Sequence, residues 1–442
     1  MNDFLVACGF TEDPFESTNA EDEPRLGDYF VPPPYFPTVI GDPCFPKTHI
    51  VLAPRGSGKT AQRRMIEDRS TQGDFLCVTY SAFDSIPGNR VSNATWDYHV
   101  TNICRLLLVG LLIRLDDEPR CMDFVTKQQR DLLRSALPAL LGPLTTQEFR
   151  NAVGAVKTLG DKAVAFWIKY GGPIALAVQA LLTRFGVDSP PLHTSRAAKG
   201  LPTGSLRYYF EGLVGAALTI GYKSVYVLVD KADETPLTSG DAAATYEMLR
   251  PLLTDLPTLE TTGVAFKFFL WDKLGDSYRE SGGRPDRVLM LTLNWGVEEL
   301  TRMLGKRLAA FSGHHVFSLD QLACAEVGVD LHQLIAHLAA GSPRNAIRLA
   351  KWIVSEHTRT GTAAPCLAAP AIWQGVRGYA DELASELSGV HLRDLKRLGK
   401  PTFTLNYLAN EVLHLSVQAA RNKVQNWMNA GVVDRVGDVA YP

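Results

Sequence analysis

Two kinds of apolar pattern alternate along the chain. Thr48–Leu52, Phe75–Tyr80, Val225–Val229, Val264–Leu270 and Val288–Leu293 are short, mostly apolar runs rich in β-branched and aromatic residues. Such runs predict strands buried on both faces of a parallel sheet. The stretches between them carry helical spacing. Ala61–Glu67 reads as a helix behind the first strand, and Gly296–Phe311 places Leu300, Leu304 and Leu308 one turn apart. About 150 residues separate Tyr80 from Asp230, far more than one helix and one strand need. Residues 95–200 therefore read as an inserted all-α subdomain, rich in Leu and Ala, and Leu201–Gly221 returns to the core as a loop and helix. Near the C-terminus, Thr404–Val412 reads as one helix. Ser416 caps a second over Val417–Asn429, which stops at Ala430-Gly431. Val432–Tyr441, with Gly437 as its turn, reads as a short β-wing.

Two apolar stretches raise the question of a membrane. Ala163–Leu182 is broken by Lys169, Gly171-Gly172-Pro173 and Gln179, and Ile103–Leu115 is short and contains Arg105. A span needs about 20 clean apolar residues. The first stretch therefore reads as two buried or partner-facing helices, and a membrane is not among the expected partners. The 442 residues are 46% hydrophobic and 21% charged, ordinary values for a globular chain of two or three domains. A net charge of -2 excludes a protein coated in nucleic acid but leaves room for a local basic patch. Seven Cys without a Cys-x-x-Cys pair read as reduced thiols of a cytoplasmic protein, forming neither a disulfide frame nor a zinc site. The ten His show no metal-ligand spacing, and His314-His315 reads as a solvated loop. The first residues, Met-Asn-Asp-Phe-Leu, lack the pattern of a signal peptide.

The chemistry concentrates in two places. Ala53–Thr60 reads Ala-Pro-Arg-Gly-Ser-Gly-Lys-Thr between a strand and a helix, which is the context a phosphate-binding loop needs. Pro54, Arg55, Gly56, Ser57, Gly58, Lys59, Thr60 and Ala61 are the expected nucleotide-binding residues. Gly56 and Gly58 let the backbone curl its N–H groups inward, and the helix N-terminus adds partial positive charge. Lys59 reaches the β- and γ-phosphates, and Thr60 holds Mg²⁺. The second place is Val225–Glu234, a strand ending in Asp230 and followed by Lys-Ala-Asp-Glu. Asp230 is the second Mg²⁺ residue, at the sheet edge where α/β folds bind ligands. Asp233 or Glu234 orients or deprotonates the attacking water, with Glu234 favoured. A plain glycine turn and a solvated acidic turn are the competing readings.

Together these residues resemble the AAA+ and STAND branches of P-loop ATPases. NACHT-type STAND proteins carry Asp, a small residue, any residue, Asp, Glu where this chain has Asp-Lys-Ala-Asp-Glu; Lys231 departs from the small position. The adjacent Asp-Glu pair of most AAA+ proteins is missing. So is the polar sensor residue expected after Val264–Leu270, where Trp271-Asp272 stands. Gly341-Ser342-Pro343-Arg344 resembles the lid helix start of origin-recognition-type members, which implies Arg344 as a γ-phosphate sensor. The likeness covers most of residues 1–60, 205–355 and the C-terminal end. It implies a P-loop ATPase core at 48–295, with a lead-in at 1–47, a helical lid at 296–357 and a winged helix at 358–442. It also implies ATP and Mg²⁺ as cofactors, homo-oligomerisation, a neighbour's arginine (Arg284, Arg287, Arg302 or Arg307 by position), and a partner protein on another chain. No guanine-reading Asn-Lys-x-Asp occurs. Phe10–Phe15 and Tyr29–Phe36 cover the adenine or pack on the core.

Two functions follow from the resemblance. One is an ATP-driven switch, with bacterial defence against phage as its setting. The other is a DNA loader or remodeller that grips duplex DNA through Arg421, Asn422, Lys423 and Gln425 of the winged helix. A nucleotide-binding structural protein is a third reading, and KAP-type ATPases, whose insertions carry membrane helices, keep one further option.

Overall fold

The computed structural model describes residues 3–83, 86–184, 203–359, 366–386, 389–398, 400, 402–429 and 433. It divides into two compact units: residues 17–317 with 332–346, and residues 1–16 with 318–331 and 347–442. The lead-in segment is thus shared between the two.

The larger unit is built on a five-stranded, all-parallel sheet in the order β2-β3-β4-β1-β5. Its strands are β1 (His49–Ala53), β2 (Phe75–Tyr80), β3 (Ser224–Val229), β4 (Val264–Trp271) and β5 (Leu289–Thr292). All five lie where the apolar runs place them, within about a residue at each end. Val51 faces Phe269 across β1 and β4, and Val225 faces Val264 across β3 and β4. With β4 between β1 and β3, the loop after β1 and the acidic turn after β3 open on the same C-terminal edge.

Side chains alternate between two cores, as the period of two requires. Ile50, Val78, Val227 and Phe268 point to one face, with helices α2 (Trp96–Asp117) and α4 (Thr203–Thr219). Val51, Cys77, Leu228 and Phe269 point to the other, with Ile66 of α1 (Lys59–Ser70) and with Phe36 and Val39. The aromatic lead-in around Phe36 is therefore core packing. The outer edge of β2 is covered by the segment after α3 (Thr146–Gly154): Thr79 N–H donates to Ala155 O at 2.9 Å and Lys157 N–H to Cys77 O at 3.0 Å. That cover removes an exposed strand edge.

Ile103–Leu115 lies inside the 22-residue helix α2. Among the described residues α2 is the one helix long and apolar enough to cross a membrane, and 67% of its apolar window is buried inside the protein. Gly160–Tyr170 and Ile174–Arg184 are two helices bent by 107° at the Gly-Gly-Pro break, as read from the sequence. Helix α5 (Val297–Phe311) follows β5, and α6 (Pro343–Arg359) starts at the expected Pro343.

In the smaller unit, Gly375 packs so tightly that a Cβ there would lie 2.5 Å from Ile353 Cα. Trp427 is fully buried with Leu398 and Leu408. Cys324 and Cys366 form a disulfide, with Cα atoms 5.0 Å apart beside the bridge between Ala323 and Leu367. The reading of every cysteine as reduced is corrected here. A separation of 42 residues leaves no spacing signal, and only the parallel pairing brings the thiols together. The β-wing at 432–441 lies outside the described residues, apart from Val433.

One core residue contradicts its surroundings. Lys267 of β4 is fully buried, donating to Lys47 O at 2.7 Å and lying 3.1 Å from His49 Nδ1. Burial lowers its pKa to about 7. Above that pH the folded chain has released a proton that the unfolded chain keeps up to the ordinary lysine value of about 10.4. The contribution of Lys267 to stability therefore rises with pH across that window. Lys267→Met should be more stable at neutral pH and should lack that rise. Urea midpoints of both proteins at about pH 7 and about pH 9 test this; parallel pH responses would refute it.

Candidate functional site

The loop Pro54–Gly58 is shaped by two glycines in the left-handed region, Gly56 (φ 79°) and Gly58 (φ 93°). Gly56 also has no room for a side chain, because a Cβ would meet Ser342 Oγ at 3.0 Å and Arg344 Cβ at 3.2 Å. The outward carbonyls are tethered. Gly56 O accepts from Arg344 N–H at 3.3 Å and from Ser342 Oγ at 3.4 Å, and Ser57 O accepts from the Trp295 indole at 2.7 Å. In a planar trans peptide the N–H points opposite to the C=O. Tying down those two carbonyls therefore aims the N–H groups of Ser57 and Gly58 toward the opposite side, into the loop. Gly58 precedes α1 with no side-chain cap, so that helix presents free first-turn N–H groups to an anion. Lys59 is buried, and its ammonium folds back onto Ala53 O at 3.0 Å and Pro54 O at 3.2 Å. Burial pushes its pKa below the usual lysine value, against the opposing pull of Asp233, Asp230 and Asp272.

Asp230, at the end of β3, is buried and fully engaged. Its Oδ2 accepts from Thr60 Oγ1 at 3.0 Å and from Arg63 Nε at 2.9 Å, and its Oδ1 accepts from Lys231 N–H at 2.9 Å. Arg63 is buried with it and also pairs with Glu67 and Glu21. Burial works against the guanidinium charge, and Glu67, Asp230 and Glu21 more than offset it, so Arg63 stays charged. Lys231 holds a left-handed φ of 62° and reaches Glu21 Oε1 at 3.1 Å. Its long side chain thus has a structural use that the small residue of the family pattern does not. Thr60 Oγ1 and Asp230 Oδ2 are a pair of hard oxygens beside an open helix N-terminus. That donor set suits Mg²⁺, which takes one or two protein oxygens, water and phosphate.

The two downstream carboxylates separate. Asp233 is buried and clamped by Arg55, whose Nε donates to Oδ2 at 2.9 Å and whose Nη2 donates to the Asp233 carbonyl at 2.8 Å. The Arg55 guanidinium stacks 4.5 Å from the Trp271 ring. Glu234 is exposed, with no ion pair among the described residues. Of the predicted residues, the structure brings together Pro54 to Ala61, Asp230, Asp233, Glu234 and Arg344. Three contributors were missed: Arg63, Trp295 and Glu21. Arg63 carries a signal, a cation one turn beyond Lys59 on the same helix face; Trp295 and Glu21, in irregular segments, carry none.

Other expectations change. Arg307 is 2% exposed, pairs with Glu23 at 2.7 Å and stacks on Tyr29, so it braces the fold and cannot reach a neighbour. Arg284 and Arg287 pair with Asp286 and Glu260. On the C-terminal helix Val417–Asn429, Arg421, Asn422 and Gln425 are exposed, but Lys423 pairs with Asp394, and Gln418 donates to Asn422.

Removing Arg63 as Arg63→Met would leave Asp230 and Glu67 buried without their cation, at a cost of about 3–5 kcal/mol. Chemical denaturation measures it, and a loss below about 1 kcal/mol would contradict the buried ion cluster. Trp295→Phe keeps the ring but drops the N–H to Ser57 O. On the ATPase reading proposed below, nucleotide affinity should fall by roughly 2- to 10-fold, the worth of one hydrogen bond; unchanged affinity in a direct titration would show that the tether does not shape the loop.

No protein-family model matches the chain, and no curated protein matches it. Among solved structures, the Aeropyrum pernix ORC1 protein in complex with DNA is similar at 13% identity and a TM-score of 0.36, over 94% of this chain and 88% of that one. The Aeropyrum pernix ORC2 protein in its ADPNP-ADP complexes gives 13% and 0.35, over 93% and 91%. Its ADP form gives 14% and 0.35, over 93% and 99%.

Proposed function

We propose that this chain is a Mg²⁺-dependent ATPase that works as a slow molecular switch. One observation carries the reading: Thr60 and Asp230 meet at 3.0 Å beside the uncapped N-terminus of α1. The loop N–H groups and the first turn of α1 receive the phosphate oxygens of ATP. Lys59 leaves the carbonyls of Ala53 and Pro54 for the β- and γ-phosphates. Arg344, anchored through its backbone at Gly56, senses the γ-phosphate. Mg²⁺, when bound, neutralises charge between the β- and γ-phosphate oxygens. Glu234, exposed and without an ion pair among the described residues, positions the attacking water, while Asp233 is held by Arg55. A site in which Asp233 is clamped by Arg55, and in which Lys231 rather than an acid follows Asp230, favours binding over rapid turnover. The setting proposed is a multi-protein assembly that forms through nucleotide-dependent self-association in bacterial anti-phage defence. Duplex DNA as effector is the second reading, motivated by the exposed Arg421 on the C-terminal helix.

Labelled ATP binding and phosphate release, with and without duplex DNA, test the reading. Lys59→Ala should lose ATP binding at least about tenfold. Glu234→Gln should keep ATP and lose turnover, whereas Asp233→Asn should disturb binding through Arg55. ATP binding that is indifferent to both Lys59→Ala and Mg²⁺ removal would sink the proposal. Turnover that rises with DNA would move the chain to the DNA reading.

A further inference from the structure

A cavity of about 710 Å³ opens beside the end of β2, walled by α2, α3 and the segment after α3. Its size lies in the range of ligand pockets, about 300–1,000 Å³. It contains none of the loop residues, nor Asp230, Asp233 or Glu234. Four cationic side chains line it, Arg63, Arg105, Arg150 and Lys157, against two carboxylates. Both carboxylates are already engaged. Glu21 holds Arg63 and Lys231, and Glu148 accepts the N–H and O–H of Thr145 at the start of α3, both at 2.8 Å.

Arg63 is neutralised by Asp230, Glu67 and Glu21, but the other three cations are under-neutralised. Arg105 is half-buried, feels the charge of Glu148, and donates to the neutral acceptors Leu140 O at 3.0 Å and Asn102 Oδ1 at 2.9 Å. Among the described residues neither Lys157 nor Arg150 makes an ion pair, and Arg150 lies 5.8 Å from the Trp167 ring. The other wall is apolar: Tyr80, Leu106, Leu144 and Ala152. A bare anion would satisfy the cations and leave that wall wet. A neutral apolar ligand would cover the wall and strand the cations.

We propose that this cavity binds an organic phosphate of mononucleotide size. Arg105, Arg150 and Lys157 hold the phosphate, and its apolar or planar body lies against Tyr80, Leu106 and Leu144. Arginine forks give phosphate charge-assisted, bidentate bonds, and lysine adds a point charge. Arg63 and Glu21 form part of the wall and also belong to the Asp230 cluster, so occupancy is felt at the carboxylate assigned to Mg²⁺. That consequence rests on the ATPase reading; binding itself does not.

The test is equilibrium dialysis of labelled AMP against the full-length chain carrying Lys59→Ala, which separates the cavity from the phosphate loop. Saturable one-site binding is expected, weakened about tenfold or more by adding Arg150→Glu with Lys157→Glu. Inorganic phosphate should compete only weakly. Absence of saturable AMP binding overturns the proposal, as does binding that the charge reversals leave unchanged. Phosphate competing as well as AMP overturns the organic body. Circular dichroism checks that each variant is folded; if the reversal is not, Lys157→Gln takes its place, with a loss of about 3-fold expected and no loss overturning the site. ATP lost from the Lys59→Ala chain while AMP is retained keeps the two sites distinct. If the ATPase reading fails, the AMP result still stands by itself.

Discussion

The buried guanidinium of Arg63 is the interaction on which the site is built. It sits one turn beyond Lys59 on α1 and binds Asp230, Glu67 and Glu21 together. Those carboxylates come from β3, from α1 itself and from the lead-in segment, so one side chain ties three parts of the chain to a single point. Taking such charges from water is costly, and the cost is recovered only where every partner is satisfied. Here Thr79 donates to Glu67, Thr60 and the Lys231 N–H donate to Asp230, and the Lys231 ammonium reaches Glu21.

The second constraint is the order of the strands. Because β4 separates β1 from β3, the phosphate loop and Asp230 face each other across one strand's width, and α1 can span it with Thr60 and Arg63. The loop is then held from outside, by Trp295 on Ser57 O and by Ser342 and Arg344 on Gly56 O. Fixing carbonyls outward pre-orients amides inward. That lowers the ordering entropy lost when phosphate binds.

What was legible in the sequence follows the reach of the signals. Strands buried on both faces announce themselves as apolar runs, so all five core strands and the helix after the loop were readable. The loop glycines were readable too, since only Gly adopts the φ of Gly56 and Gly58 without strain. Contacts between distant segments were not. Trp295 looks like any aromatic residue in a turn, and Glu21 like any acid in a Pro-rich segment. Lys231 read as a departure from a pattern because its partner lies 210 residues away. The Cys324–Cys366 pair escaped for the same reason. Arg307 misled in the opposite direction: an arginine at the right place in the chain for a neighbour's site is instead enclosed by Glu23 and Tyr29.

The resting site is neutralised from within. Lys59 is held by two carbonyls, Arg55 by Asp233 and Trp271, and Arg63 by three carboxylates. A nucleotide that enters must exchange at least the Lys59 contacts for its own. Part of its binding free energy then goes into rearrangement rather than affinity. A ligand shifts a conformational equilibrium only by its differential affinity for the two states. Groups that are engaged in one state and released in the other are a direct source of that difference. Arg55 extends the coupling, since it stands in the phosphate loop and holds Asp233 in the acidic turn. A displacement of the loop would therefore be transmitted to the turn that carries Glu234. Contacts that must be exchanged on binding would make such a site responsive to occupancy, which is the physical argument for the proposed switch over a fast enzyme.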